Sequence, residues 1–405
     1  MSDHLPFAIR ALKTNDVAGA EIAARLMLDD APGDAAALHI LGVIAAKVQA
    51  FDLAEDYFAR ALAAEPGNAQ VAQNLAAART APRPRFSQEP RYLVIREWGF
   101  GFWSDVSHVL GALLLAEATG RIPVTWWGSQ SLFSDGADRD AFQDYFQPVS
   151  DVRLQDLPDT FTGGFFPPRW NAANLKTTTD AKWQERTGPV YFLNRPERVA
   201  VCDFFAAMPN VIPWLPPTHP MHGQSVEAVY RYLIGKYLHP HSDIVTACDV
   251  FFTSELQHAP FVAAHLRGGD KFREDENART VNQTILSLLA EVDSSLPILA
   301  LTDDERCLSM LRSTFGTRVI ATQCQRSHTD RGVHLLPNTL PVLAGREAMI
   351  DVYLALRAQH FIGNGLSNVS AMIAVLKDWT QDSCNLIGPS ILEDRSFALY
   401  RKKSS

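Results

Sequence analysis

The sequence predicts a parallel α/β protein built in two halves, with an all-α block in front of them. Three observations carry that expectation. A 34-residue repeat fills the first eighty residues. A proline-rich segment then interrupts every regular pattern. Beyond it, short apolar runs alternate with amphipathic stretches and glycine turns, as expected of strands and helices in parallel layers.

The repeat is explicit. Ala31-Pro32-Gly33-Asp34 returns as Glu65-Pro66-Gly67-Asn68, Ala20-Glu21 as Ala54-Glu55, and Leu28 as Leu62, always 34 residues on. The unit 35–68 carries Leu38, Leu41-Gly42, Ala45, Ala54, Phe58, Ala61 and Pro66. Small residues at 42, 45 and 54 let two antiparallel helices approach, Phe58 fills the space between repeats, and Pro66 stops the second helix. This pattern resembles the tetratricopeptide repeat. About two repeats and a capping helix near 69–80 are present, and fewer than three full repeats rarely stand alone. The block 1–80 is therefore expected to pack on the rest of the chain or on a protein partner. A stabilising appendage and an interaction surface both remain open readings. Residues 81–91, with Pro82, Pro84 and Pro90, read as a linker.

In the first α/β half, 92–224, residues 92–95 read as a buried strand. It enters Trp98-Gly99-Phe100-Gly101 and then a helix over 104–119, capped by Asp105 or Ser104 and stopped by Gly120. Glycines at 99 and 101 either let the backbone approach a ligand, with the helix start favouring an anion, or simply form a tight turn. Residues 122–127 form the next strand. The stretch 135–220 reads as long loops, with a strand expected over 190–193. Its aromatics, such as Phe165, Phe166 and Trp170, suit either a sugar platform or a local core. In the second half, 225–405, helices are expected over 226–238, 242–256, 347–357 and 367–376, and strands over 261–266, 296–301, 318–321 and 360–363. Ligands of open α/β sheets bind at the carboxyl ends of the strands, so the polar residues there are the candidates for chemistry.

Composition narrows the function. The chain has 405 residues, 47% hydrophobic and 20% charged, with a formal charge of −8. These values fit a globular protein and lack the broad basic field that non-specific nucleic-acid binding requires. The cysteines at 202, 248, 307, 324 and 384 are scattered, with no CxxC pair, which points to neither a zinc site nor a disulfide framework and fits a reducing compartment. No signal-like N-terminus and no apolar run of membrane-spanning length is present, so a cytoplasmic protein is expected.

The densest polar segment is His265-Leu266-Arg267-Gly268-Gly269-Asp270-Lys271, directly after a strand. Alternation puts His265 and Arg267 on one side of the extended chain. Arg267 offers a planar fork suited to phosphate, and Lys271 adds a second positive charge for a diphosphate leaving group.

HxRxxDK after a strand resembles the signature of the inverting fucosyltransferase superfamily: the α1,6-fucosyltransferases of N-glycan cores and nodulation factors, and the protein O-fucosyltransferases. Trp98–Gly101 with His108, Gly120-Arg121 with Trp126–Ser129, Leu301–Asp304, Ile350–Ala355 and Phe361–Ser370 resemble further motifs of that group, in order, over about 92–129 and 261–376. The resemblance implies two Rossmann-like domains of GT-B type, GDP-fucose as donor and no metal. It implies Arg267 on the β-phosphate, His265 near the nucleotide–phosphate junction, Asp303 on the guanine edge or its loop, and Ser367 and Asn368 on the diphosphate. Gly99, Gly101 and Asp270 complete the expected nucleotide-sugar contacts. For the general base, the position matching the core enzymes' glutamate is Asp275, one methylene shorter, and Glu274 or Glu276 is an alternative. The acceptor can be a glycan, a lipid-linked sugar or a protein. GDP-mannose or another GDP-hexose is an alternative donor, and a non-catalytic scaffold on a degenerate nucleotide-sugar fold is the rival class.

Overall fold

The computed structural model describes residues 4–84, 86, 89–157, 164–176, 187–269 and 277–395. Helices α1 (His4–Lys13), α2 (Val17–Asp30), α3 (Ala35–Lys47), α4 (Phe51–Ala64) and α5 (Ala69–Thr80) follow one another, each packed on the next. The repeated turn explains two of the helix starts. Asp34 accepts from the Ala37 amide (2.8 Å) and Asn68 from the Val71 amide (3.1 Å), so the residue after each Pro-Gly is an N-cap. A Cβ at Gly42 would lie 2.5 Å from the Phe58 ring, which is why α3 and α4 can close on each other. The helical block shares its apolar core with Val190, Leu193 and Trp214.

The first lobe holds β1 (Tyr92–Arg96), α6 (Phe102–Ala118), β2 (Ile122–Trp126), β3 (Phe165–Phe166), β4 (Val199–Cys202) and α7 (Met208–Val211). Its strands are parallel, in the order β2-β1-β4-β3. The second lobe follows α8 (Val226–Tyr237) and α9 (Ser242–Ser254). It contains β5 (Val262–His265), α10 (Ala278–Glu291), β6 (Ile298–Leu301), α11 (Glu305–Phe315), β7 (Val319–Ile320), α12 (Pro341–Ala355), β8 (His360–Asn364), α13 (Asn368–Leu376) and β9 (Cys384–Ile387). These strands are also parallel, ordered β7-β6-β5-β8-β9. The order reverses between β5 and β8, and in the first lobe between β1 and β4. Such switch points open a crevice at the carboxyl ends of strands.

α6 is buried along most of its length, and its core continues through α8 and α13 into the second lobe. Gly111 is the tightest point of that packing. A Cβ there would lie 1.8 Å from the Ala206 carbonyl oxygen, so α6 lies directly against the chain leaving β4. Among the described residues no helix is long and apolar enough to cross a membrane. The five cysteines are unpaired.

One expected strand is absent. Residues 190–193 lie within and after a 3-10 turn, Pro189–Phe192, and Val190 and Leu193 bury themselves against the helical block. The β-branched and aromatic run signals burial, and a helix surface supplies it where a neighbouring strand was expected.

Candidate active site

A cleft of about 600 Å³ opens where the carboxyl ends of the two sheets face each other. From the first lobe it is lined by the loop after β1 and by Phe205 after β4. From the second it is lined by His265 at the end of β5 and Arg267 after it, Thr302 and Asp303 after β6, and Ser367 and Asn368 after β8. Gly99, Gly101, His265, Arg267, Asp303, Ser367 and Asn368, predicted from separate segments, thus share one cavity. Asp270, Lys271, Glu274 and Asp275, with the alternative Glu276, lie outside the described residues.

His265 ends β5 and is 3% exposed. Its Nδ1 lies 2.7 Å from the Ser370 hydroxyl, which fixes the ring and leaves Nε2 as the nitrogen available to a ligand. Burial, reinforced by the Arg267 charge, pushes its pKa down to about 3, so the ring is a neutral hydrogen-bonding group rather than a cation. Ser370 occupies the first turn of α13, and nothing in the local sequence marks it except its place in the last quoted motif.

Arg267 donates from Nη1 to Asp303 Oδ2 at 2.7 Å, while its carbonyl accepts from Asn282 Nδ2 at 2.9 Å. The guanidinium is therefore aimed by an acidic partner and its backbone is anchored by a helix. Asp303, expected at a guanine edge or in support of its loop, has one oxygen on Arg267; its Oδ1 is buried with no hydrogen-bond partner among the described residues. The neighbouring Asp304 is structural. It caps α11, accepts the Gly269 amide at 2.8 Å and binds Arg306. Burial raises its pKa, but the hydrogen bonds from Arg306 and Gly269 outweigh burial and hold it below the usual carboxylate value.

The glycines after Arg267 have a reason in the packing of their own lobe. A Cβ at Gly268 would meet the Asp304 side chain at 2.4 Å, and Gly269 has φ +60°. The turn is tight because it wraps a carboxylate of its own lobe.

Ser367 precedes α13 and is 4% exposed, and its side chain makes no capping bond to the helix. The loop is held instead by Asn364, whose Oδ1 accepts the Leu366 amide at 2.9 Å. The α13 N-terminus thus meets the cleft with Ser367 and Asn368 at its edge, an arrangement suited to an anion.

The loop after β1 corrects a prediction. Asp105 does not cap α6; Gly101 occupies the cap position and no side chain caps it. Asp105 is fully buried and accepts the amides of Trp98 (3.1 Å), Gly99 (3.0 Å) and Phe100 (2.9 Å). Those amides point inward at a carboxylate, so they do not cradle a phosphate. Gly99 supplies the positive φ (+92°) that the turn requires. At the tip, Phe100 is 38% exposed and stands beside Phe205, with ring centroids 6.0 Å apart. His108, behind them, accepts the Ala206 amide at Nδ1 (3.0 Å).

Sequence reasoning also missed two carboxylates on α12 that line the cleft, Glu347 and Asp351. Glu347 accepts the Gln325 amide at 3.0 Å. Asp351 accepts from the Thr322 hydroxyl at 2.6 Å, and burial pushes its carboxyl up to about 6. Asp351 stands inside a quoted motif, but the sequence gives its helix no stated role at the site. Only packing of α12 beside β6 turns that face inward.

No protein-family profile and no curated protein matches the chain. Among solved structures it is similar to fucosyltransferase NodZ from Bradyrhizobium, at 19% identity over 72% of this chain and 94% of that one, with a TM-score of 0.49. It is also similar to Arabidopsis thaliana FUT1 in complex with GDP (13%, 78% and 74%, TM-score 0.44) and to POFUT1 in complex with GDP (15%, 74% and 98%, TM-score 0.43).

Proposed function

We propose that the chain is an inverting glycosyltransferase of GT-B architecture that transfers fucose from GDP-fucose to a hydroxyl of a glycan or protein. One observation carries the reading. The motif residues on which the resemblance rests converge on a single cleft, with an arginine aimed by Asp303 and a helix N-terminus beside it. In this reading 225–405 binds the donor and 92–224 faces the acceptor. Residues 1–80 are tetratricopeptide repeats, and the protein works in a reducing compartment.

The acceptor oxygen forms a bond to the anomeric carbon while the bond from that carbon to the β-phosphate oxygen breaks. The electron pair leaves with GDP, and the acceptor proton passes to a carboxylate, assigned to Asp275 with Glu274 as the alternative. Arg267 neutralises the charge growing on the departing diphosphate, Lys271 adds to it, and Ser367 and Asn368 donate to its oxygens from the start of α13. Neutral His265, fixed through Ser370, holds the nucleotide. The guanine N–H groups can be met by the carboxylates of Asp303 and Asp351. Charge compensation by side chains and a helix end makes the transfer metal-independent.

Calorimetry with GDP, GTP and UDP, followed by a donor panel scored by released nucleotide with and without EDTA, tests the reading. Binding of GDP but not UDP, and EDTA-insensitive turnover of GDP-fucose, is the expected result. Turnover of GDP-mannose instead would transfer the reading to another GDP-hexose. Absence of guanine-nucleotide binding would leave a scaffold.

A further inference from the structure

The helical block reaches the cleft through α2. Arg25, 3% exposed, projects out of α2 and donates from Nη1 to the Pro209 carbonyl and from Nη2 to the Asn210 carbonyl, both at 3.0 Å. Pro209 and its neighbour Met208 line the cleft from the first lobe. The grip is itself held. Glu21, fully buried one turn before Arg25, pairs with it at 2.5 Å and accepts Trp214 Nε1 at 2.9 Å, and Arg25 lies over the Trp214 ring. Tyr57 of α4 adds a hydrogen bond to the Pro213 carbonyl at 2.7 Å. At the far end of α2, Asp29 pairs with Arg395, immediately after the segment whose Ile391, Leu392 and Asp394 line the same cleft. That segment packs on α7.

A helical block that needed only to be buried could cover this surface with apolar side chains. A buried ion pair is a poor source of stability. What a forked guanidinium adds over a hydrocarbon is geometry, because it fixes two consecutive carbonyls in one plane. We infer that the helical block builds part of the catalytic cleft: Arg25 is a positioning residue that holds the 208–210 wall on the acceptor side, and α2 braces the C-terminal segment against it. This rests on the glycosyltransferase reading, and it goes beyond that reading by giving the repeats a role in the reaction itself.

The test uses the full chain and three variants: Arg25→Lys, which keeps the charge beside Glu21 but loses the fork; Arg25→Met with Glu21→Gln, which removes both charges; and Asp29→Asn, at the half-exposed end of α2. Hydrogen exchange is measured by peptide, GDP affinity by calorimetry, and hydrolysis of GDP-fucose with water as the acceptor. In both Arg25 variants, exchange over 207–214 should accelerate by about tenfold while 261–268 stays unchanged. GDP affinity should stay within about twofold, and kcat for hydrolysis should rise about fivefold at constant KM as water enters past the loosened wall. Asp29→Asn should move 391–394 alone, by a smaller factor. Unchanged exchange at 207–214, or acceleration spread over the chain with GDP affinity lost, overturns the inference, since Arg25 would then serve only the fold. Failure of the wild type to bind GDP sinks the glycosyltransferase reading instead, and exchange at 207–214 still decides whether α2 holds the wall.

Discussion

The two loops that face each other across the cleft are built alike and present opposite surfaces. Each is wound around a buried carboxylate. Asp105 collects three amides of the loop after β1, and Asp304 collects the Gly269 amide and Arg306 beside the loop after β5. What each loop then offers differs. The first turns its N–H groups inward and leaves the Phe100 ring at its tip, beside Phe205. The second leaves the Arg267 guanidinium, steered by Asp303. A glycine-rich loop is therefore not by itself an anion site. Where its amides go decides the matter, and of these two loops it is the second whose described residues set a charged side chain at the cleft.

Removing the charge is the most direct way to test this contrast. Arg267→Ala should lower GDP affinity by about 100-fold, the scale of a lost charge-assisted pair. Arg267→Lys should recover part of it, because an ammonium can pair with Asp303 but cannot fork. Calorimetry reads both, and full affinity in Arg267→Ala would move the phosphate site elsewhere.

Next in size is the carboxylate under the first loop. Asp105→Asn should destabilise the protein by about 2 kcal/mol, since an amide cannot accept three N–H groups as well as a carboxylate does. Urea titration measures the loss, and GDP affinity of the folded protein should stay within about twofold. A collapse of GDP binding in this variant would mean that the first loop holds the phosphate and that the contrast drawn here is reversed.

Acid sharpens the comparison on the second lobe. Asp351 is raised to about 6 while an unfolded aspartate sits near its ordinary value, so the folded state takes up the proton more readily. Its contribution to stability is therefore largest at low pH and is lost as pH rises through about 6. Nucleotide binding runs the opposite way. A carboxylate that accepts guanine N–H groups must be ionised, so GDP affinity should fall by nearly tenfold per unit below about pH 6. Both dependences should flatten in Asp351→Asn. A GDP affinity that is constant from pH 7 to 5 in the wild type would remove Asp351 from the nucleotide.

The smallest effect is expected at Ser370. Ser370→Ala frees the His265 ring to rotate and should weaken GDP binding about fivefold, the equivalent of a hydrogen bond of about 1 kcal/mol. Ser370→Thr, which keeps the hydroxyl, should restore most of it. An unaltered affinity in the alanine variant would show that the ring needs no partner to reach the nucleotide.

Much of this molecule was legible before any coordinates. The repeat period located Asp34 and Asn68, now helix caps, and the close approach of α3 and α4 at Gly42 followed from the small-residue pattern, although Phe58, expected between repeats, meets Gly42 inside one unit. Strand-then-polar-loop patterns picked out His265, Arg267 and the Thr302–Asp304 turn, because a strand buried on both faces must be apolar until the residue where it emerges, whereas Ser367 came from the family resemblance alone. Such signals are local, and local chemistry writes them. The partner of a group is a different matter. That Asp105 would turn back on its own loop, that Asp303 would aim Arg267, that Ser370 would hold His265, that residues 190–193 would lie against a helix, and that Arg25 would reach carbonyls more than 180 positions away all depend on how distant segments pack. Hydrophobic periodicity constrains which face of an element is buried. It carries no record of what lies opposite, and in this protein only the assembled fold supplied that.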